Sequence, residues 1–202
     1  MSTKTVSEIK LSAERTADLE IDDDNALEWV TLGQLEIAGQ VHPSWLSRLQ
    51  ASALLPDGGT LSEATEYIVV PNNFLHPVSG ALVATGKSIP LTLVDYKEFQ
   101  DRCGYGYKGL AINSLITSEY GGVLYFNPAV PADAIWQYRL RYVKYPTDLA
   151  EISDTIDLEG LLIPLLVDYL ILRAKQNDEE FEEYASLVSK FQTDLKKFQR
   201  PK

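Results

Sequence analysis

The sequence has few of the residues that support redox, metal or disulfide chemistry. Its 202 residues include one cysteine, one methionine and two histidines. Cys103 therefore cannot form an intrachain disulfide, and it lacks the second thiol that a CxxC redox or zinc motif requires. His42 and His76 each precede a proline, which is typical of turns. These absences argue against a disulfide scaffold, a metal site and a cysteine nucleophile.

The chain also lacks a long hydrophobic run and a surplus of basic residues. The most apolar stretch, residues 161–172, contains Pro164 and Asp168 and is shorter than the roughly 20 residues that span a bilayer. The first ten residues show no basic segment followed by an apolar one, so we expect no secretory signal. There are 29 acidic and 18 basic side chains, a net charge of -11. We therefore expect a soluble protein that does not bind nucleic acid or anionic lipid broadly.

Motifs of known catalytic centres are absent. GxSxG, HExxH, GxxxxGK[ST] and GxGxxG do not occur, and the GYGYKG stretch at 104–109 has the wrong spacing for a phosphate loop. That stretch indicates a contact loop instead. A hydrolase could use scattered carboxylate pairs such as Glu66 with Glu98 or Asp95 with Asp101, and this is our third-ranked hypothesis. The sequence predicts no enzyme, cofactor or bound metal.

The order of apolar patterns predicts an α+β fold. With 45% hydrophobic residues, the chain can bury a core without disulfides or metals. We expect a helical bundle, made of N-terminal helices and two long C-terminal helices, that carries a β-rich insertion of antiparallel hairpins. Within a single domain, 1–202, the predicted parts are a polar N-terminal segment at 1–24, a helical pair at 25–56, the β-rich insertion at 60–146 and a C-terminal helical hairpin at 155–199.

The two N-terminal helices are predicted at residues 25–39 and 43–54. Trp29 and Trp45 give each helix one large apolar side chain, and Pro43 with Ser44 makes a favourable helix start. The acidic run that ends at Asp24 suits the positive end of the first helix dipole.

Short alternating runs predict strands in the middle of the chain. A short extended run stopped by Pro71 favours a strand at 66–70. Alternation of period two favours a strand at 136–142, with one buried and one exposed face. Glycine turns predict two hairpins, 81–85 with 89–94 and 115–119 with 123–127. Asp95 with Glu98 indicates a capped short helix at 96–102.

The C-terminal helices differ from each other. Residues 159–175 are apolar on nearly every side, which a helix tolerates only when neighbours cover several faces. Pro164 must then lie in the first turn or kink the helix. The last helix has apolar residues spaced three and four apart, as in a narrow packing seam formed by Phe181, Tyr184, Val188, Phe191, Leu195 and Phe198.

Four stretches in this order resemble a known family. They read EYIVVPNNFL at 66–75, IPLTLVDYKEF at 89–99, GGVLYFNPAVPADAIWQYRLRYVKYPTDL at 121–149, and LLVDYLILRAKQNDEEFEEYASLVSKF at 165–191. The succession is similar to the head-to-tail adaptor (connector) proteins of tailed bacteriophages, which form a ring beneath the portal in the virion neck. The likeness covers roughly residues 60–198.

The resemblance implies a structural role in the virion neck for a protein made in the host cytoplasm. It implies a ring of twelve copies that docks on the portal protein and on the next tail or neck protein, with DNA passing through an acidic lumen without specific binding and with no membrane contact. The ring would also explain the over-apolar helix at 159–175. Our candidate subunit or portal contacts are Leu162, Leu166, Tyr169, Leu170, Arg173, Tyr105 and Tyr107.

A second hypothesis is a small-molecule or glycan-binding β module. Tyr105, Tyr107 and Tyr120 would then stack against sugar rings, since aromatic faces suit such ligands. A strict monomer with no affinity for a portal would favour this hypothesis over the adaptor.

Overall fold

The computed structural model describes residues 3–61, 67–103, 116–127, 135–178 and 181–201. It divides the chain into two compact units. Residues 1–49 and 145–202 form the first, which we call the helical unit, and residues 50–144 form the second, which we call the β unit. The fold is mixed α+β, as the sequence predicts.

In the described ranges the chain contains five α-helices and seven strands. In chain order these are α1 (Val6–Ala17), α2 (Asp23–Gln40), β1 (Gln50–Leu55), β2 (Tyr67–Val69), β3 (Phe74–Ala84), β4 (Lys87–Leu93), α3 (Tyr96–Cys103), β5 (Ile116–Tyr120), β6 (Val123–Asn127), β7 (Gln137–Lys144), α4 (Ile163–Asn177) and α5 (Phe181–Lys196).

Helix α1 occupies part of the segment that we expected to be a polar lead. Thr5 begins it with a capping box, because its hydroxyl accepts from the Glu8 backbone N–H at 3.3 Å and the Glu8 carboxylate accepts from the Thr5 N–H at 3.0 Å. Val6, Ile9 and Ala13 then place one apolar face in the core. The sequence did carry this signal, but polar and charged residues together outnumber the apolar ones in α1 and hide it.

Helix α2 confirms the first predicted helix. Asp22 is its N-cap and accepts from the Asn25 backbone N–H at 2.8 Å. Trp29, Val30 and Ile37 lie on its buried face.

The predicted helix at 43–54 is wrong. Pro43–Trp45 and Ser47–Leu49 form two 3-10 turns, and the chain then continues as β1. Gln50–Leu55 reads QASALL, whose local preference is helical, but every one of these residues pairs with β7, from Gln50 opposite Val143 to Leu55 opposite Tyr138. Strand pairing in the folded chain overrides the weak local propensity.

Helix α4 has neighbours on several faces, all from its own chain. It packs against α1, α2 and α5. Pro164 lies in its first turn, where its missing N–H costs nothing. On α5, Phe191 and Leu195 of the predicted seam are buried.

The β unit is a curled seven-stranded sheet with strand order β1-β7-β3-β4-β5-β6-β2. Both predicted hairpins are present, as β3 with β4 and β5 with β6. In the second turn Gly121 and Gly122 have φ of 62° and 80°, which suits a two-residue turn that needs positive φ twice. Strands β4 and β5 pair in parallel, with α3 between them in sequence. The alternation in β7 buries Tyr138, Leu140 and Tyr142 in the core of the sheet.

Candidate assembly surfaces

Three of the predicted contact residues lie in the core of the helical unit. Leu162, Leu166 and Leu170 are each 0% exposed. Gly33 on α2 shows how closely the helices approach, because a Cβ atom at that position would lie 2.7 Å from Leu166 Cδ1. These leucines therefore pack within their own chain in the described structure. Their contact with a neighbouring subunit stays a prediction.

Tyr169 and Arg173 are half-buried and more accessible than those leucines. The Arg173 guanidinium carbon lies 5.7 Å from the centre of the Tyr169 ring, and this ring packs against Phe191 at 5.8 Å between centroids. Burial raises the pKa of Tyr169. Leu161, two residues before α4, is 51% exposed. A planar cation over an aromatic ring is a common interface element.

The two remaining predicted contacts, Tyr105 and Tyr107, lie outside the described residues. The third residue of the glycan hypothesis, Tyr120, is 57% exposed on β5. Its ring stacks on Tyr96 of α3, with centroids 4.2 Å apart and planes 11° apart. One face of Tyr120 is therefore covered within the chain and is closed to a sugar ring.

Aromatic side chains form a continuous patch on the outer face of β2, β5 and β6. The ring centroids of Tyr96 and Tyr125 are 5.7 Å apart, and those of Tyr125 and Tyr67 are 6.3 Å apart. Tyr67 and Val69 are 58% and 65% exposed. We name this the tyrosine patch, consisting of Tyr67, Val69, Tyr96, Tyr120 and Tyr125. Exposed clusters rich in tyrosine are typical of protein interfaces.

Local sequence patterns do not identify this patch as a surface. The alternation of Tyr67 and Val69 on one strand, and of Val123 and Tyr125 on the next, was the available signal. The register that places Tyr67 opposite Tyr125 depends on the pairing of β2 with β6, which lie far apart in sequence.

A groove of about 830 Å³ lies between the two edge strands of the sheet. Among the described strands, β1 and β2 each pair with a single neighbour, so they form the two edges of the sheet in that part of the chain. Among the described lining residues Asp57 is the charged one, and the apolar ones include Leu55, Leu61, Ile68, Val70 and Tyr142.

The acidic charge of the chain is concentrated in one unit. The segments of the helical unit contain 21 acidic and 11 basic side chains, a formal net charge of -10, whereas residues 50–144 contain 8 and 7, a net charge of -1. On the β unit, Arg139 and Arg141 are exposed on β7. Each arginine is flanked by uncharged residues on β1 and β3, which are Leu54, Ala81, Ser52 and Ser79.

Of the carboxylates in the hydrolase hypothesis, Asp95 has a structural role in the described ranges. Asp95 caps α3, where its carboxylate accepts from the Glu98 backbone N–H at 2.8 Å, and Glu66 lies outside the described residues. Among described residues, no group of three or more His, Cys, Asp or Glu side chains is placed to hold a metal ion. No helix in those ranges is long and apolar enough to cross a membrane.

Comparison with known protein families gives a match over nearly the whole chain. The family model described as SU10 adaptor protein matches residues 4–201. No curated protein matches the chain. The family match includes both compact units, from α1 to the end of the described C-terminal segment. The chain therefore belongs to the SU10 adaptor protein family, a family of phage head-to-tail adaptors.

Proposed function

We propose that this chain is the subunit of a ring that docks on the phage portal and joins it to the next tail or neck protein. The observation that carries the proposal is the family match over residues 4–201. An adaptor of this kind is a structural component of the virion, which is not an enzyme class. We expect the ring to contain twelve copies of the chain, as the resemblance to phage adaptors implies.

Two features of the molecule support a docking role. The helical unit has a well-packed core, in which α4 contacts three other helices. The β unit exposes its large apolar side chains at or near the sheet edges, where Leu54 is 45% exposed and Val69 is 65% exposed. Exposed apolar groups at unprotected edges favour association with another protein.

The net charge supports passage of DNA without adhesion. A ring multiplies the charge of -11 by the number of subunits, and phosphate is repelled by acidic side chains that stay exposed to the channel. We expect the lumen to be acidic. A basic lumen in an image of the assembled particle would contradict this part of the proposal.

The mass of the assembly tests the ring. Purified protein is studied by sedimentation and native mass spectrometry, alone and after addition of purified portal rings. We expect a closed oligomer, or one that forms on the portal with a fixed subunit ratio. A strict monomer at high concentration that also fails to bind portal would contradict the proposal.

The predicted contacts on α4 are tested in the same assay. We expect Tyr169→Ala with Arg173→Ala to weaken assembly, because this pair is the accessible part of the predicted interface. Arg15→Ala is the matched control, since Arg15 is an exposed arginine on another helix of the same unit. Normal assembly of the double variant would remove this surface from the proposal and leave the ring intact.

A further inference from the structure

Helix α2 presents an acidic stripe with an apolar end. Asp24, Glu28 and Leu35 are exposed, and Leu35 is 40% exposed. At 100° per residue these three positions lie within about 40° of one another around the helix axis. The buried residues Trp29, Val30 and Ile37 occupy the other side of α2. The stripe therefore faces away from the core of its own unit.

Strand β7 and the residues before it present the complementary stripe. Arg141 and Arg139 are exposed, and Ile135 is 73% exposed, the largest exposed fraction among the large apolar residues of the described chain. Among described residues, Arg139 makes no ion pair, and the Arg141 guanidinium contacts the Gln50 amide oxygen at 3.5 Å. No acidic residue on β1 or β3 lies opposite either arginine.

The two stripes also match in length. Asp24 and Glu28 are separated by about 6 Å along a helix, and Arg141 and Arg139 by about 6.6 Å along a strand. From Asp24 to Leu35 the helix extends about 16 Å, and from Arg141 to Ile135 the chain extends about 20 Å when fully stretched. An acid can therefore lie beside each arginine while Leu35 lies near Ile135.

We propose that α2 of one copy packs along β7 of the next copy, with Asp24 and Glu28 beside Arg141 and Arg139. This inference deepens the proposed ring, on which it rests, by assigning its repeating contact. The contact is heterologous, since it joins α2 of one copy to β7 of another, and a heterologous contact forms a ring when the rotation between copies closes. Exposed charge pairs contribute orientation and specificity more than affinity, so the apolar ends would supply part of the binding.

Charge reversal tests the electrostatic part. One double variant is Arg139→Glu with Arg141→Glu, and the other is Asp24→Lys with Glu28→Lys. We expect each double variant to weaken association at least tenfold, because like charges would then face each other. The two variants mixed at equal concentration should assemble again, because every contact in an alternating ring is complementary. Lys87→Glu with Lys97→Glu changes the net charge as much as the arginine variant does and should assemble normally. Unchanged melting temperatures show that the exposed substitutions leave the fold intact.

Cross-linking tests the geometry. In a Cys103→Ser background, Glu28→Cys with Arg139→Cys in one chain should give a ladder of disulfide-linked dimers, trimers and larger species under mild oxidation. Each single substitution should give at most dimers. The contact would be wrong, and the proposed ring would stand, if the wild-type protein forms a ring, both charge-reversal variants assemble equally well, and the cysteine pair gives no ladder. A wild-type chain that never assembles, alone or on portal, would instead contradict the ring itself. Arginine variants that assemble normally but lose retention on a DNA column would assign the arginines to phosphate and overturn the contact.

Discussion

The helical unit and the β unit differ in charge and in the makeup of their cores. The helical unit has a net charge of -10 and the β unit of -1. The helical core is aliphatic for the most part, and two of its buried polar groups have backbone partners. The Gln34 amide oxygen accepts from the Asp157 N–H at 2.7 Å, and the Glu159 carboxylate accepts from the Ser47 N–H at 2.6 Å. The β core instead contains Trp136, Tyr138 and Tyr142.

The two units therefore differ in what they expose, since most of the formal charge lies in the helical unit and the most exposed large apolar side chains lie in the β unit. Acidic side chains cover helices whose apolar faces are already packed against one another. The β unit has few charges to oppose contact and exposes Tyr67, Val69 and Ile135 by 58% or more. Exposed apolar surface with little charge around it favours contact with partners, whereas surface charge of one sign opposes nonspecific association.

The largest effect is expected from removing the centre of the helical core. Leu166→Ala should lower the free energy of unfolding by about 2–5 kcal/mol, because Leu166 is 0% exposed and its loss leaves a cavity. Urea denaturation followed by circular dichroism measures the change. Leu161→Ala is the control, since its side chain is 51% exposed. A loss of association with an unchanged melting temperature would mean that Leu166 faces a neighbouring subunit instead.

The β unit should be most sensitive at Gly80. A Cβ atom there would overlap the Tyr138 hydroxyl oxygen, and Tyr138 is 0% exposed and cannot move aside freely. Gly80→Ala should cost about 1–3 kcal/mol through overpacking. Hydrogen exchange measured by mass spectrometry should show faster amide exchange, mainly within residues 50–144.

Tyr138→Phe provides the matched test of that explanation. It removes the hydroxyl oxygen that the new methyl group would meet, although the ring carbon that carries this oxygen would still lie at 2.5 Å. We therefore expect Tyr138→Phe to rescue part of the loss in the Gly80→Ala background. Equal losses in the presence and absence of the hydroxyl would show that overlap with the hydroxyl oxygen is not the cause.

A smaller effect of opposite sign is expected at the end of α2. Gly39→Ala should stabilise the helical unit by about 0.5–1 kcal/mol, because alanine favours the helix and nothing lies within 4 Å of the new Cβ atom. Gly33→Ala is the same substitution in the same helix, but its Cβ atom would lie 2.7 Å from Leu166 and 2.8 Å from Tyr169. We expect this variant to be destabilised, as measured by thermal melting. Stabilisation of both variants would contradict the close packing of α2 on α4.

The smallest effect is expected in how the stability of the helical unit changes at low pH. The backbone N–H groups of Glu151 and Ala150 hold the pKa of Asp154 below its usual value. Because the pKa is lower in the folded state, the stabilisation is complete above the unfolded value of about 4 and is lost as the pH falls through the folded value. We expect the helical unit to lose stability first on acidification, with Asp154→Asn reducing the slope in a pH series of melting curves. An unchanged slope would contradict a role for Asp154 in acid sensitivity.

Much of the β unit could be predicted because its signals are local. Gly86 and the pair Gly121 and Gly122 mark the two hairpin turns, and the alternation along 136–142 marks β7. The edge strand β1 could not be predicted, since its residues favour a helix and its partner β7 lies far along the chain. The apolar character of Leu166 and Leu170 predicts burial, but it does not distinguish a core within one chain from an interface between chains.

The sequence by itself determined the α+β class, both hairpins, the positions of α2, α4 and α5, and the resemblance to phage adaptors, because these depend on periodicity, turn residues and the order of motifs. Only the tertiary structure decided that α1, α2 and α5 cover α4 within one chain, that Tyr67 joins Tyr125 in the tyrosine patch, and that Arg139 and Arg141 have no acid opposite them on the neighbouring strands. The physical reason is that burial and strand register depend on which distant segments meet, and local patterns of hydrophobicity do not specify that partner.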